Sequence, residues 1–250
     1  MARFPSLIPQ KGERAMIAGQ TGSGKTAFAV WMLLRIDQSP IVIYDTKDEE
    51  KFPKLPLSRV VSTQAECDEA VADVSLDYVI FRPPVELQGE PERLDAFLWH
   101  HYNQYRGIPA YVDEAGTFHN GHRAYKGLIA LMARGRSRGI TTIISTQRPV
   151  GISKSIRTEA QRIYAFRLAD LDDRKSLQAV VPNFASYPLP PKHGFYFFES
   201  GEDEPHLFAP VAIDPKFDTG YVDKTNEAEP DAGEHIHGET GEPASKHIWV

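Results

Sequence analysis

The stretch GQTGSGKT, residues 19 to 26, constrains this 250-residue chain more than any other. It follows the apolar run AMIA and precedes AFAVWMLLR, so it falls where a buried strand turns into a helix. Gly19, Gly24, Lys25 and Thr26 satisfy the spacing GxxxxGK[ST], and the strand-to-helix setting is the one its mechanics require. In such a loop, running here through Gly19, Gln20, Thr21, Gly22, Ser23 and Gly24, backbone N–H groups converge on phosphate oxygens at a helix N-terminus. Lys25 then reaches the β and γ phosphates, and Thr26 offers a hydroxyl to Mg²⁺. A chance match would leave the same letters in a loop with no strand before it and no helix after it. The ligand expected here is ATP with Mg²⁺.

The rest of the chain supplies the scaffold that such a loop needs. Strands are expected at residues 15–19, 41–45, 77–81, 109–113, 141–146 and 162–168, several as continuous apolar runs of the kind buried on both faces of a parallel sheet. Helices are expected between them at 25–36, 91–105 and 122–137. Alternation of this kind predicts an α/β fold with a mostly parallel sheet flanked by helices. GFYFFES and HLFAPVAI read as a late antiparallel hairpin at the sheet edge.

Two further motifs bear on chemistry. PAYVDEAG places Asp113 and Glu114 at the end of a buried strand, expected to lie beside the strand that leads into the glycine-rich loop. Asp113 is suited to hold magnesium, and Glu114 to act as general base toward an attacking water. The plain reading, two solvated acids at a strand end, fits less well because no other strand ends this way. Gln147, in STQRP, sits at the tip of the strand TTIIS and is suited to sense the γ phosphate; by itself it would pass for a loop glutamine.

Charge is unevenly spread. Residues 222–250 carry seven acids against two lysines, a net of −5 out of the chain's −6, so the other 221 residues carry −1. Few large apolar residues and much Gly, Pro and Glu predict a flexible acidic tail there, after a domain spanning 1–221. Its His235 and His237 read as solvated side chains. By contrast residues 115–158 hold no acid at all, but eight cations: Arg123, Lys126, Arg134, Arg136, Arg138, Arg148, Lys154 and Arg157. This is the footprint expected of phosphate contact. Cations at a helix C-terminus also complement the helix dipole. Arg136 is the candidate to act on the γ phosphate of a neighbouring subunit, with Arg134, Arg138 and Arg174 as alternatives. The single Cys67 excludes an internal disulfide framework, and no apolar run is long enough to span a membrane, which points to a soluble, cytosolic chain.

Taken together, GQTGSGKT, PAYVDEAG and ARGRSRGITTIISTQRP resemble the FtsK/HerA superfamily of DNA-translocating ATPases, over roughly residues 12 to 180. IVIYDTKDE resembles the aspartate-x-lysine stretch after that family's second strand. The resemblance implies a RecA-like P-loop NTPase core, ATP hydrolysis, double-stranded DNA as partner and a homo-oligomeric ring of five or six subunits. It implies Lys25 and Thr26 in the phosphate and magnesium roles, Asp113 and Glu114 as the acid pair, Gln147 as sensor and Arg136 as a trans-acting finger. With so short a segment before the loop, the chain looks most like the genome-packaging ATPases of tailless, membrane-containing double-stranded DNA viruses, acting in the host cytoplasm and docking at a capsid vertex. The alternatives weighed are a HerA-like cellular translocase, a conjugation-type ATPase, a P-loop phosphotransferase and a filamentous-phage-like assembly protein.

Overall fold

The computed structural model describes residues 6–87, 89–120 and 123–212, with only the backbone of 119, 120, 123 and 124. In chain order the main elements begin with β1 (Arg14–Ala18), α1 (Lys25–Leu33), β2 (Ile41–Tyr44), β3 (Ser58–Val61), α2 (Gln64–Ala72) and β4 (Tyr78–Phe81). Next come α3 (Pro91–Gln104), β5 (Ala110–Val112), a short ribbon of β6 (His119–Asn120) and β7 (Arg123–Ala124), α4 (Lys126–Arg134) and β8 (Thr142–Thr146). The chain continues with α5 (Lys154–Arg157), β9 (Arg162–Ala165), α6 (Leu171–Leu177), β10 (Phe195–Glu199) and β11 (His206–Phe208).

Nine of these strands form one sheet in the order β11-β10-β9-β1-β8-β5-β2-β4-β3. Seven are parallel, and β10 and β11 add antiparallel pairings beyond β9, so the late hairpin lies at the sheet edge as expected. The apolar runs are apolar because both faces are covered. Along β1, Met16 and Ala18 face one core while Ala15 and Ile17 face the other, and β2 splits in the same way into Val42 and Tyr44 against Ile41 and Ile43. The first core takes Leu94 and Leu98 of α3 and Leu128, Leu131 and Met132 of α4. The second takes α1, whose Phe28 packs against Tyr164, Phe166 and Phe195 with ring centroids 5.0, 5.5 and 4.7 Å away.

Helix α4 crosses α3 closely because residue 127 has no side chain. A Cβ on Gly127 would fall 2.4 Å from the Asp95 carbonyl oxygen and 2.5 Å from the Trp99 nitrogen. Buried Asp95 then accepts the Gly127 and Leu128 N–H groups at 2.6 and 2.7 Å, satisfying the start of α4 from the neighbouring helix.

Two expectations need correction, and one stretch holds elements that no expectation covered. The helix expected from residue 122 begins at Lys126, because the chain first reverses through β6 and β7. Residues 58–72 hold β3 and α2, which no apolar run announces. Thr63 and Glu66 nevertheless form a capping box: the Thr63 hydroxyl accepts the Glu66 N–H, and the Glu66 carboxylate accepts the Thr63 N–H. Most consequentially, the acid-bearing strand β5 does not adjoin β1, because β8 lies between them. Ile143 pairs with Ala15 on one side and Tyr111 on the other. Strand order is a tertiary property that spacing along the chain does not encode.

Candidate active site

Strands β1, β5 and β8 run parallel, so the loops at their C-terminal ends open on the same edge of the sheet, the carboxyl edge where α/β folds place their ligands. The glycine-rich loop comes after β1, Asp113 and Glu114 after β5, and Gln147 after β8. Gln147 thus lies between the other two sets, and hydrogen bonds join all three. The Thr21 hydroxyl donates to Gln147 Oε1 at 2.8 Å, and the Gln147 N–H donates to Glu114 Oε1 at 3.1 Å.

The loop is shaped by two glycines with positive φ, Gly22 at 74° and Gly24 at 101°, conformations in which a side chain is strained. Gly19 answers a different need. A Cβ there would meet Phe166 Cβ at 2.6 Å and Ser23 Oγ at 2.8 Å. No side chain caps α1 at Gly24, so its first N–H groups face the loop. The buried Ser23 hydroxyl has no hydrogen-bond partner among the described residues, an unmet polar group inside the cradle. Lys25 Nζ donates to the Gln20 carbonyl at 3.2 Å, and burial pulls its pKa down to about 8 against the opposing pull of Glu114 and Asp113. A phosphate beside it would favour the charged form.

Asp113 is buried and held by two hydroxyls. Tyr111 donates to its Oδ1 at 3.1 Å and Ser145 to the same atom at 2.8 Å. Burial raises the Asp113 pKa, those hydrogen bonds counter it, and the nearby Asp45 adds to it. A divalent cation at this carboxylate would reverse the balance. Glu114 has φ 52°, a strained value for a residue with a side chain, fixed by the Ser145 Oγ that accepts its N–H at 3.1 Å. That conformation carries its carboxylate to the end of β8, where Oε1 also accepts from the Thr146 hydroxyl at 3.3 Å. Its Oε2 accepts from Lys47 Nζ at 2.8 Å.

These groups line a cleft of about 660 Å³, the size of a small-ligand site. Lys25, Thr26, Asp113, Glu114 and Gln147 belong to its polar lining, and Phe28, Phe166, Phe195, Pro210 and Val211 to its apolar lining. The donors fit magnesium that arrives with a polyphosphate. Thr26 and Asp113 offer hard oxygens, and among the described residues no group of three or more His, Cys, Asp or Glu could hold a metal alone.

Arg136 is not part of this cleft. It precedes β8, at the amino edge of the sheet, where its backbone and Cγ lie 3.5 Å from the position of a Cβ on Gly12. The five residues of β8 separate it from Gln147, roughly 16 Å at strand rise. Its exposed side chain can serve an active site only on another chain. Of the alternatives, Arg138 lies over the Tyr102 ring and donates to the Asn103 carbonyl, and Arg174 donates to the Tyr187 carbonyl.

Much of the acid-free segment has structural employment that its charge alone does not reveal. Arg157 is buried on the Pro149 and Ile152 carbonyls, Arg148 pairs with Asp170 and Asp173, and Lys126 lies over the Trp99 ring. Arg134, Arg136 and Lys154 are exposed and form no ion pair among the described residues. Gly121 and His122 of the loop GTFHNGHR, and the acidic segment with His235 and His237, lie outside the described residues.

Sequence reasoning assigns no role to Tyr111, Ser145 or Lys47. Ser145 leaves no signal of its own, being one of four hydroxyl residues in TTIIST; Lys47 stands within the stretch IVIYDTKDE that resembles the family pattern.

No family model matches the chain. The DNA packaging ATPase P9 of Enterobacteria phage PRD1 is 29% identical over 180 residues, 70% of this chain and 73% of that protein. The genome packaging NTPase B204 of Sulfolobus turreted icosahedral virus 2, solved in complex with sulfate, superposes with a TM-score of 0.65 at 16% identity, over 83% of this chain and 100% of that one. The same protein in complex with ATP-gammaS superposes with a TM-score of 0.63 at 16% identity, over 80% and 98% of the two chains. At these identities the structural likeness establishes the fold alone, the one that B204 has.

Proposed function

We propose that this chain is the ATPase of a motor that drives double-stranded DNA into a preformed viral capsid. The observation that carries the reading is the meeting of Lys25, Thr26, Asp113, Glu114 and Gln147 at one cleft, in a chain similar over 180 residues to a DNA packaging ATPase. A P-loop with an acid pair is built to cleave a phosphoanhydride, and a glutamate placed toward water favours hydrolysis over transfer to a small acceptor.

In this reading the loop N–H groups and Lys25 bind the phosphates of ATP, and the apolar lining of the cleft takes the nucleoside. Magnesium, held by Thr26 and Asp113, would withdraw charge from the phosphates. Glu114 takes a proton from water as the water oxygen bonds to the γ phosphorus; the bond from that phosphorus to the β–γ bridging oxygen breaks, and ADP and inorganic phosphate result. Gln147, bonded to both the cradle and Glu114, reports the loss of the γ phosphate along β8.

The subunits form a ring of five or six, with Arg136 reaching the γ phosphate held by a neighbour. Sequence-tolerant contacts to DNA phosphates, through exposed cations such as Lys154, complete the motor. Residues 1–221 are its ATPase domain, and 222–250 are an acidic appendage suited to docking on a capsid vertex. The motor works in the host cytoplasm and at that vertex. No helix among the described residues is long and apolar enough to cross a membrane.

The test is ATP hydrolysis with and without double-stranded DNA of unrelated sequences. Several-fold stimulation by any of them, lost as salt is raised, is the expected result. Indifference to DNA, or stimulation by a small phosphate acceptor instead, would contradict the assignment.

A further inference from the structure

We propose that Lys47 is a ligand of the γ phosphate that masks Glu114 until a triphosphate draws it away. The inference rests on the ATPase reading above and assigns a residue that reading leaves without a role.

The loop after β2 is fixed in place. Asp45, 1% exposed, accepts the Lys47 N–H at 3.1 Å through Oδ1 and the Glu49 N–H at 3.0 Å through Oδ2. The same carboxylate pairs with Arg82 Nε at 2.9 Å. From this platform the Lys47 side chain extends into the cleft that Lys25 and Thr26 line, and ends on Glu114 Oε2 at 2.8 Å. The other carboxylate oxygen is engaged by the Gln147 N–H and the Thr146 hydroxyl. A carboxylate offers about four lone-pair sites. Three are taken here, and the Lys47 ammonium covers Oε2, the oxygen that the other two donors leave open. In this arrangement a water must compete with Lys47 for the carboxylate.

Lys47 has one ammonium and two claimants. Against it stands a single carboxylate that already has other donors. A triphosphate in the same cleft presents several negative charges, and the competition favours the phosphate. The ammonium is on a flexible four-carbon stem and about two-fifths exposed, so it can move without disturbing the Asp45 platform. ADP lacks the group that would win. Lys47 therefore couples exposure of the base to the presence of the γ phosphate, which restrains idle chemistry and sets an affinity difference between ATP and ADP.

Affinities of the full chain for AMPPCP, which keeps a γ phosphate without being hydrolysed, and for ADP test the idea by calorimetry. Lys47→Met is expected to weaken AMPPCP by about 10- to 100-fold, the worth of a charge-assisted hydrogen bond, and ADP by less than about twofold. Glu114→Gln removes the competing charge, so it is expected to tighten AMPPCP but not ADP, and the gain is expected to vanish in the Lys47→Met, Glu114→Gln double variant. Equal weakening of both nucleotides by Lys47→Met, or a Glu114→Gln gain that persists without Lys47, would overturn the proposal. Wild-type protein that binds neither nucleotide would overturn the ATPase reading and this one with it. Intact ADP binding with no discrimination at Lys47 would overturn this one alone.

Discussion

Replacing Glu114 with Gln is expected to lower ATP turnover by roughly 10²- to 10⁴-fold while nucleotide binding survives, the loss associated with removing a general base. The amide is isosteric with the carboxylate, and its oxygen can still accept from the Gln147 N–H and the Thr146 hydroxyl, so the end of β8 keeps its anchor. The strained backbone at φ 52° is held by Ser145 and the strand, and does not depend on the charge. What disappears is the proton acceptor and, with its charge, the ion pair to Lys47. Phosphate release together with nucleotide titration checks this, and loss of binding along with turnover would remove Glu114 from the role of base.

Lys25→Ala is expected to act differently, weakening ATP binding and lowering turnover by roughly 10²- to 10³-fold, as loss of a preorganised charge at a developing anion does. The fold has little to lose. The side chain's hydrogen bond goes to the Gln20 carbonyl of the same loop. Burial already disfavours the Lys25 charge, enough to bring its pKa to about 8, so the folded chain carries a desolvation cost here that ligand binding offsets. A thermal melt should therefore show a transition close to wild type, with phosphate release near background. Wild-type turnover in Lys25→Ala would mean that the cradle is not where ATP is cleaved.

Strands and the loop are legible because each carries a local signal. β1, β2, β4 and β5 carry apolar runs buried on both faces, β8 has the β-branched run TII at its start, and the glycine spacing needs a strand before it and a helix after it. β3 is not, since its outer residues Arg59 and Val60 are exposed at the sheet edge and blur the pattern. The capping box at Thr63 is present in the letters, but the helix it opens has only Cys67 and Ala70 buried and so lacks a clear apolar stripe. The neighbour of β5 is beyond reach of any local signal: both β1 and β2 are apolar enough to sit beside it, and it is the pairing of Ile143 and Ile144 with both β1 and β5 that fixes β8 in the middle.

The site shows the same division. Residues with a motif, Gly19 to Thr26, Asp113, Glu114 and Gln147, can be picked out by spacing. Residues that act on them through space cannot: Tyr111 and Ser145 orient Asp113 by hydrogen bonds, and Lys47 reaches Glu114 from 67 positions away. Charge counting overreaches in the acid-free segment, since composition cannot tell a cation buried on carbonyl oxygens, such as Arg157, from one facing solvent, such as Lys154. Nor can it tell that Arg136 lies at the far edge of the sheet from its own cradle.

The central claim is that one nucleotide and its metal bridge the loop after β1 and the acids after β5, across the tip of β8. Crystals grown with AMPPCP and Mn²⁺, with anomalous scattering to locate the metal, test it most directly. The account predicts a manganese peak between the Thr26 hydroxyl and the Asp113 carboxylate, bound directly or through water, with the γ phosphate facing Glu114 and Gln147. A metal and triphosphate bound away from either the 19–26 loop or Asp113 would contradict it.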